Sequence, residues 1–174
     1  PKGVRHVHSS LMFTAENYGQ GVLNITADDV VYSAAKLFFA YGLGNALTFP
    51  MSVGATTVLF PGRPTPEAVF AILKQHNPTL YFGVPTLYAA MLADPNCTPQ
   101  NGSNALRLCV SAGEALPTEV GTACKERFGV DIMDGIGSTE MLHIFLSNRP
   151  GELKYGTSGK ACPGYELRLV DEAG

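Results

Sequence analysis

Residues 134–140 read Asp134-Gly135-Ile136-Gly137-Ser138-Thr139-Glu140, and the apolar run Val130 to Met133 lies immediately upstream. An apolar run followed by glycines, two hydroxyls and a carboxylate suits a strand that ends in a tight loop. Glycine there lets the backbone approach a ligand and take φ > 0 without steric cost. Ser138 and Thr139 offer hydroxyl donors to a phosphate oxygen, and Glu140 is an oxygen ligand of the kind Mg²⁺ takes beside phosphates. Nucleotide phosphate handling is one reading. The same spacing suits an ordinary strand-to-helix turn, with Ser138 and Thr139 at the N-cap and Glu140 near the positive helix end. Spacing alone leaves both open.

Outward from this stretch, β-prone runs alternate with helical ones. Asp28 to Ser33, Val53 to Phe60, Thr79 to Gly83, Leu106 to Ser111 and Val130 to Met133 read as strands, and Pro61-Gly62-Arg63-Pro64 closes the second. Ser9 to Tyr18 has helical spacing, with Ser9 or Ser10 as its cap. Thr65, Pro66 and Glu67 give an N-cap, a proline at N1 and an acidic first turn for a helix to about His76. Pro85 or Thr86 opens a helix to about Ala93, and Pro117 to Phe128 forms another. Asp94 to Asn104, rich in Pro, Asn, Gly and Ser, is a surface loop. The alternation predicts an α/β fold, a mostly parallel sheet flanked by helices on both faces. Ligands of such sheets collect at the carboxyl ends of the strands. Four stretches meet there: Gly83-Val84-Pro85, Ala112-Gly113-Glu114, Gly135 to Glu140, and the segment around Tyr41.

Ala34 to Thr48 is apolar nearly all round and is expected to be buried, with Phe38 and Phe39 as core aromatics. Its Tyr41-Gly42-Leu43-Gly44 sequence costs helix propensity, so a ligand or another helix is expected to approach closely. Beyond Glu140, Leu142 to Ser147 is β-prone, Gly156 to Gly164 is turn-rich, and Tyr165 to Val170 alternates like a strand. His143 lies beside the site if the residues after Glu140 are helical, and a purely structural role is equally open.

With 45% hydrophobic and 16% charged residues, the 174-residue chain has the make-up of a globular domain with a real core. A net charge of −3 without a Lys/Arg cluster argues against a nucleic-acid partner. No apolar run is long enough for a membrane span and no signal-peptide order is present, so a cytoplasmic setting without membrane contact is expected. Cys97, Cys109, Cys124 and Cys162 lack metal-site spacing and are expected to be free thiols packed as small apolar groups. On a strand His6 and His8 would share a face and could chelate a metal, but no third ligand is evident, so they read as structural.

Asp134 to Glu140 resembles the G-x-T-E signature of the adenylate-forming (ANL) superfamily, whose members are AMP-binding acyl- and aryl-CoA ligases, luciferases and nonribosomal peptide adenylation domains. Pro1-Lys2-Gly3 is similar to the end of that superfamily's phosphate loop, which is followed, as here with His6-Val7-His8, by a short His-containing segment. Lys36 to Pro50 resembles the benzoate-CoA ligase branch, and the likeness runs over essentially the whole chain.

The resemblance implies an acyl-CoA synthetase-like fold, with residues 1–148 as an α/β subdomain cut within the phosphate loop. Residues 149–174 would begin a small β-barrel subdomain. It implies an aryl-CoA ligase that activates benzoate or a similar aromatic carboxylate with ATP and Mg²⁺ and passes the acyl group to coenzyme A. A noncatalytic nucleotide- or acid-binding module, an adenylation domain and a fatty acyl-CoA ligase are the alternatives. Thr139 would contact phosphate and Glu140 would hold Mg²⁺, both acting in catalysis. Lys2 and Ser138 would help bind nucleotide. Gly113, Glu114 and Ala115 would lie along adenine and ribose, and Asp134 would accept from the adenine amino group. Gly135 and Gly137 would keep the wall thin. Many relatives carry an aromatic residue where this chain has Ile136, so stacking on adenine is expected to be weaker here. Ala40, Tyr41, Gly42, Gly83, Val84, Ile136 and Gly137 would form the acyl slot, with Tyr41 as a gate between the acid and coenzyme A paths. The resemblance also implies that the rest of the same polypeptide, including a C-terminal domain with an adenylation lysine, is needed. The 174 residues alone are expected to make no acyl-adenylate.

Overall fold

The computed structural model describes residues 3–172, so the expectation for Lys2 lies outside the described residues. The alternation of apolar side chains along the strands gives the layer order. Leu80 and Phe82, Leu108 and Val110, and Val31 and Met133 face one core with Tyr18, Leu23 and Phe49. Their neighbours Tyr81, Cys109, Tyr32 and Ile132 face a second core with Val69, Leu73, Tyr88 and Met91. Side chains alternate across a strand, so a strand apolar at every position must be covered on both faces.

Among the described residues one sheet runs in the order β2-β1-β3-β4-β5-β6-β7. Its strands are β1 (Val30–Ser33), β2 (Thr56–Val58), β3 (Leu80–Gly83), β4 (Leu108–Ala112), β5 (Ile132–Gly137), β6 (Ile144–Ser147) and β7 (Lys160–Ala161). The pairings from β2 to β5 are parallel; β6 and β7 are added antiparallel. One face carries α1 (Ser9–Thr14), which continues as a π-helical stretch Ala15–Gln20, and α3 (Phe49–Val53). The other face carries α4 (Pro66–His76), α5 (Pro85–Ala93) and α6 (Thr118–Phe128). The expected α/β architecture is present.

Helix starts follow local chemistry. Thr65 Oγ1 accepts the Ala68 N–H at 3.3 Å, Pro66 follows, and Asn77 in the left-handed region (φ 48°) ends α4. Gly129 ends α6 in the same conformation. At the other end of the chain, His8 rather than Ser9 or Ser10 stands at the N-cap of α1, and no side chain caps it.

Four expectations are corrected. The strand placed at Val53 to Phe60 is only Thr56–Val58, because Val53 belongs to the short α3, which carries Pro50 in its first turn and ends at Gly54 (φ 75°). The strand placed at Val130 to Met133 runs on to Gly137, because β6 pairs antiparallel with Gly135–Gly137 and prolongs the ladder. Phe38 and Phe39 are 80% and 56% exposed, their rings tilted against each other with centroids 4.6 Å apart instead of entering the core. Tyr165 to Val170 forms no strand: Leu167, Leu169 and Val170 stand exposed, and β7 comes from the turn-rich stretch before it.

Candidate active site at the carboxyl edge of the sheet

The strand ends β3, β4 and β5 deliver their loops to one edge. Beside them lies a cavity of about 750 Å³. It is lined by Ala40 and Tyr41, by Val84, by Ala112 and Gly113, and by Gly137, Ser138 and Thr139. These residues come from all four stretches expected to meet there. The lining is mostly apolar, with Lys36 and Arg63 as its charged members. A cavity of roughly 150 Å³ already holds benzene, so this one has room for an aromatic ring and considerably more.

The signature loop is a hairpin connection between β5 and β6, followed by no helix. The Ser138 N–H donates to His143 O at 3.3 Å, the Leu142 N–H donates to Thr139 O at 3.1 Å, and the Met141 N–H donates to Ser138 Oγ at 3.3 Å. His6 Nε2 donates to the same Thr139 carbonyl at 2.7 Å, tying the N-terminal segment to the signature. Leu142 takes φ 66°, rare for a residue with a branched side chain, and so turns the chain sharply enough to bring His143 under the loop. The glycines are needed for closeness. A Cβ on Gly135 would stand 2.9 Å from Ile144, and one on Gly137 would stand 2.8 Å from the His143 carbonyl oxygen.

His143 is 2% exposed and belongs to the cavity wall. Its Nε2 faces the Tyr41 carbonyl at 3.2 Å and Asn45 Oδ1 at 3.0 Å. Both are acceptors, so the proton sits on Nε2. Nδ1 is then a bare lone pair, buried without a partner among the described residues. Burial pushes the imidazole pKa down to about 3, opposed only weakly by the Tyr41 carbonyl, so His143 is neutral at physiological pH. The rings of Phe49 (4.5 Å), Tyr18 (5.2 Å) and Tyr41 (5.6 Å) hold it in place. His143 reaches the site through the hairpin and not through a helix.

Tyr41 forms part of the wall, and its hydroxyl lies 3.2 Å from both the Gly83 and Val110 carbonyls. The ring is therefore pinned to the end of β3 and the middle of β4. Gly42 and Gly83 stand behind the wall. A Cβ on Gly42 would meet the Lys36 carbonyl at 2.1 Å, and one on Gly83 would meet the Tyr88 ring at 2.8 Å. The close approach at Gly42 is thus to loop backbone, and at Gly44 to the His143 ring, not to a ligand or a second helix.

Glu114 and Ala115 are exposed just beyond Gly113, which takes φ 96°. Asp134 is 7% exposed and lies off the cavity. Its Oδ2 accepts the Leu116 N–H at 3.4 Å and its Oδ1 has no partner among the described residues. Burial raises its pKa against the help of the Leu116 N–H. Ile136 is 47% exposed and also off the cavity. Thr139 and Glu140 are exposed, and the Glu140 carboxyl is held below its usual range by its own backbone N–H and the Ser138 hydroxyl. Among the described residues no group of three His, Cys, Asp or Glu side chains converges on a metal position.

Sequence reasoning missed Lys36 and Arg63. The available signal for Lys36 was its being the sole charge between Ala34 and Thr48.

A match to the family described as AMP-binding enzyme spans residues 1–174. The chain belongs to that family. It is 64% identical over all 174 residues to a benzoate-CoA ligase of Thauera aromatica, and 59% identical to a 4-hydroxybenzoate-CoA/benzoate-CoA ligase of Rhodopseudomonas palustris. It superimposes with a TM-score of 0.97 on a benzoate CoA ligase from Burkholderia xenovorans LB400, at 59% identity over the whole chain and 35% of that structure. An anthranilate CoA ligase, AuaEII, solved with anthranoyl-AMP, also superimposes at 0.97, with 48% identity over the whole chain and 34% of that structure. The chain spans about a third of the length of the relatives it matches. No helix among the described residues is long and apolar enough to cross a membrane.

Proposed function

We propose that the polypeptide carrying this chain is an aryl-CoA ligase that joins benzoate, or a similar aromatic carboxylate, to coenzyme A by way of an acyl-adenylate made from MgATP. The observation that carries this reading is the mostly apolar cavity whose buried end, walled by Tyr41, Ala112, His143 and Ile144, opens beside Ser138 and Thr139. A flat ring fits the apolar end, which leaves its carboxylate directed to the hydroxyl-bearing loop where phosphate would lie.

Within this reading Ala40, Tyr41, Val84 and Gly137 contact the ring, while Gly42 and Gly83 hold that wall from behind. Gly113, Glu114 and Ala115 run along the nucleoside, with Ile136 as an apolar neighbour. The unpaired Oδ1 of Asp134 is the acceptor available to an adenine amino group. Thr139 and Ser138 bind phosphate oxygens. Glu140 fits Mg²⁺ because an exposed carboxylate kept ionised at low pH suits an ion that retains phosphate and water ligands instead of an all-protein cage. When bound, Mg²⁺ neutralises phosphate charge and stabilises the departing pyrophosphate. Lys2 and the remainder of the polypeptide, including its C-terminal domain, complete the nucleotide site. Residues 149–174 begin a small β subdomain, and the exposed apolar side chains of Leu167, Leu169 and Val170 are the face it would cover.

The test uses the full-length polypeptide with benzoate, ATP and Mg²⁺, followed by coenzyme A. Benzoate-dependent pyrophosphate release and then benzoyl-CoA are expected. Nucleotide binding without pyrophosphate release would favour a noncatalytic module, and preference for a long aliphatic acid would favour a fatty acyl-CoA ligase.

A further inference from the structure

The open end of the cavity is built from two stretches far apart in sequence: residues 34–39, leading into α2 (Ala40–Leu43), and Arg63 to Pro66, leading into α4. Residues 34–39 and 59–65 are irregular, so no ladder of strand hydrogen bonds joins one stretch to the other. Among the described residues, the hydrogen bonds between them come from one side chain. The half-buried Lys36 ammonium donates to the Phe60 carbonyl and, at 2.6 Å, to the Gly62 carbonyl, and it lies 5.0 Å from the centroid of the Phe60 ring. The same ring lies against Gly62, where a Cβ would stand 2.5 Å from Phe60 Cζ. Lys36 is fixed from its own side too. Its carbonyl accepts the Phe39 N–H at 3.0 Å and backs onto Gly42. No carboxylate pairs with Lys36 among the described residues. Holding an ammonium on two carbonyls in place of full hydration has a desolvation cost, and what it secures is the spacing between the two stretches.

We infer that Lys36 is a positioning residue that holds the solvent-facing mouth of the cavity in the shape the thiol substrate needs. This rests on the ligase reading above. By that reading the aromatic acid sits at the buried end, whose walls are strand ends β4, β5 and β6 with Tyr41 and His143, and the Lys36 ammonium, bonded to Phe60 and Gly62, makes no hydrogen bond to those walls. The thiol must come through the open end, past Phe39 and the Arg63 to Pro66 stretch. Loosening that stretch therefore penalises the thiol step first.

In the full-length enzyme, Lys36→Met keeps the hydrocarbon stem and removes the donors. It is expected to raise the KM for coenzyme A at least about fivefold more than the KM for benzoate. Gly62→Ala, which displaces the Phe60 ring from the other side and lies off the cavity, is expected to give the same asymmetric pattern. Lys36→Arg, which keeps donors, is expected to restore most of it. A readout independent of the reaction is hydrogen exchange, which is expected to quicken in Lys36→Met at the Thr65 amide, bonded to the Arg63 carbonyl at 2.9 Å. Equal rises in both KM values, or unaltered exchange at Thr65, would overturn the inference. A wild-type enzyme that releases no pyrophosphate with benzoate would instead overturn the ligase reading, with the exchange result still deciding whether Lys36 holds the mouth.

Discussion

Replacing Gly83 by valine separates two roles for the end of β3. Gly83 is buried, and a Cβ there would lie 2.8 Å from Tyr88 Cε2 and 2.9 Å from its Cζ, with the Tyr81 hydroxyl at 3.2 Å. Tyr88 cannot swing aside freely, because its hydroxyl donates to the Val110 carbonyl at 2.9 Å and its ring packs edge-on to Tyr81 at 5.3 Å. Moving it forfeits a buried hydrogen bond, about 1 kcal/mol, and overpacking adds about 1–3 kcal/mol. The strand preference of valine returns at most about 1 kcal/mol. A net loss of about 1–4 kcal/mol follows, which for a cooperative unit of this size lowers Tm by about 2–16 °C. Because Val84 and not Gly83 lines the cavity, the ranking of ring-substituted benzoates should change little. Thermal unfolding and a panel of acids, run on the same full-length protein, make the comparison. An unchanged Tm together with selective loss of substituted acids would place Gly83 in the slot wall and refute the reasoning.

Ala40→Val projects into the cavity itself and should reject ring-substituted acids before benzoate with little loss of Tm, as measured by kcat/KM across the same panel. Glu140→Gln should weaken adenylate formation across a Mg²⁺ titration while leaving the unfolding midpoint nearly unchanged, since the side chain is exposed; unaltered Mg²⁺ dependence would remove the metal role. His143 titrates near 3 in the fold against about 6.5 unfolded. The unfolded chain therefore binds the extra proton first, and stability should fall as pH drops from about 6.5 toward 3, with a slope of up to about 1.4 kcal/mol per unit. His143→Gln should flatten that slope in pH-dependent denaturant titrations. At the opposite edge of the sheet, Asp29 is buried, yet the Arg107 fork at 2.8 and 2.9 Å, the Thr79 hydroxyl and the Thr26 N–H hold its pKa at about 2. Its contribution is complete above about 3.8 and lost as pH falls through 2. Arg107→Met, which leaves that carboxylate only its Thr79 and Thr26 bonds, should cost about 1–3 kcal/mol in urea unfolding, reduced by the partial exposure of Arg107, without altering acid selectivity.

Much of the fold was legible because its signals are local. Thr65-Pro66-Glu67 starts α4 where the capping chemistry puts it, and the apolar runs at Leu80–Gly83 and Leu108–Ala112 are buried on both faces as a parallel sheet requires. The meeting of Tyr41, Val84, Gly113 and Gly137–Thr139 followed from topology, since strand ends of a parallel sheet share an edge. What the sequence concealed depends on distant partners. Gly135 to Gly137 extend β5 only because β6 returns antiparallel, and a period-two reading of Val130 to Met133 contains no trace of that partner. Phe38 and Phe39 look like core residues by composition, but the turn at residues 36–39 points them outward. Tyr165 to Val170 has strand periodicity without a neighbouring edge to pair with among the described residues. Lys36 meets carbonyls 24 and 26 residues further along, a contact that no spacing rule anticipates.

By the proposed function, the cavity beside the signature hairpin receives an aromatic acyl-adenylate. A crystal structure of the full-length protein with benzoyl-adenylate, or a nonhydrolysable mimic of it, tests this most directly. The ring is expected against Tyr41, Val84, Gly137 and His143, with the phosphate at Ser138 and Thr139 and the adenine along Gly113 to Ala115. An aromatic ring bound outside that cavity, or a phosphate away from the Ser138–Thr139 loop, would contradict it.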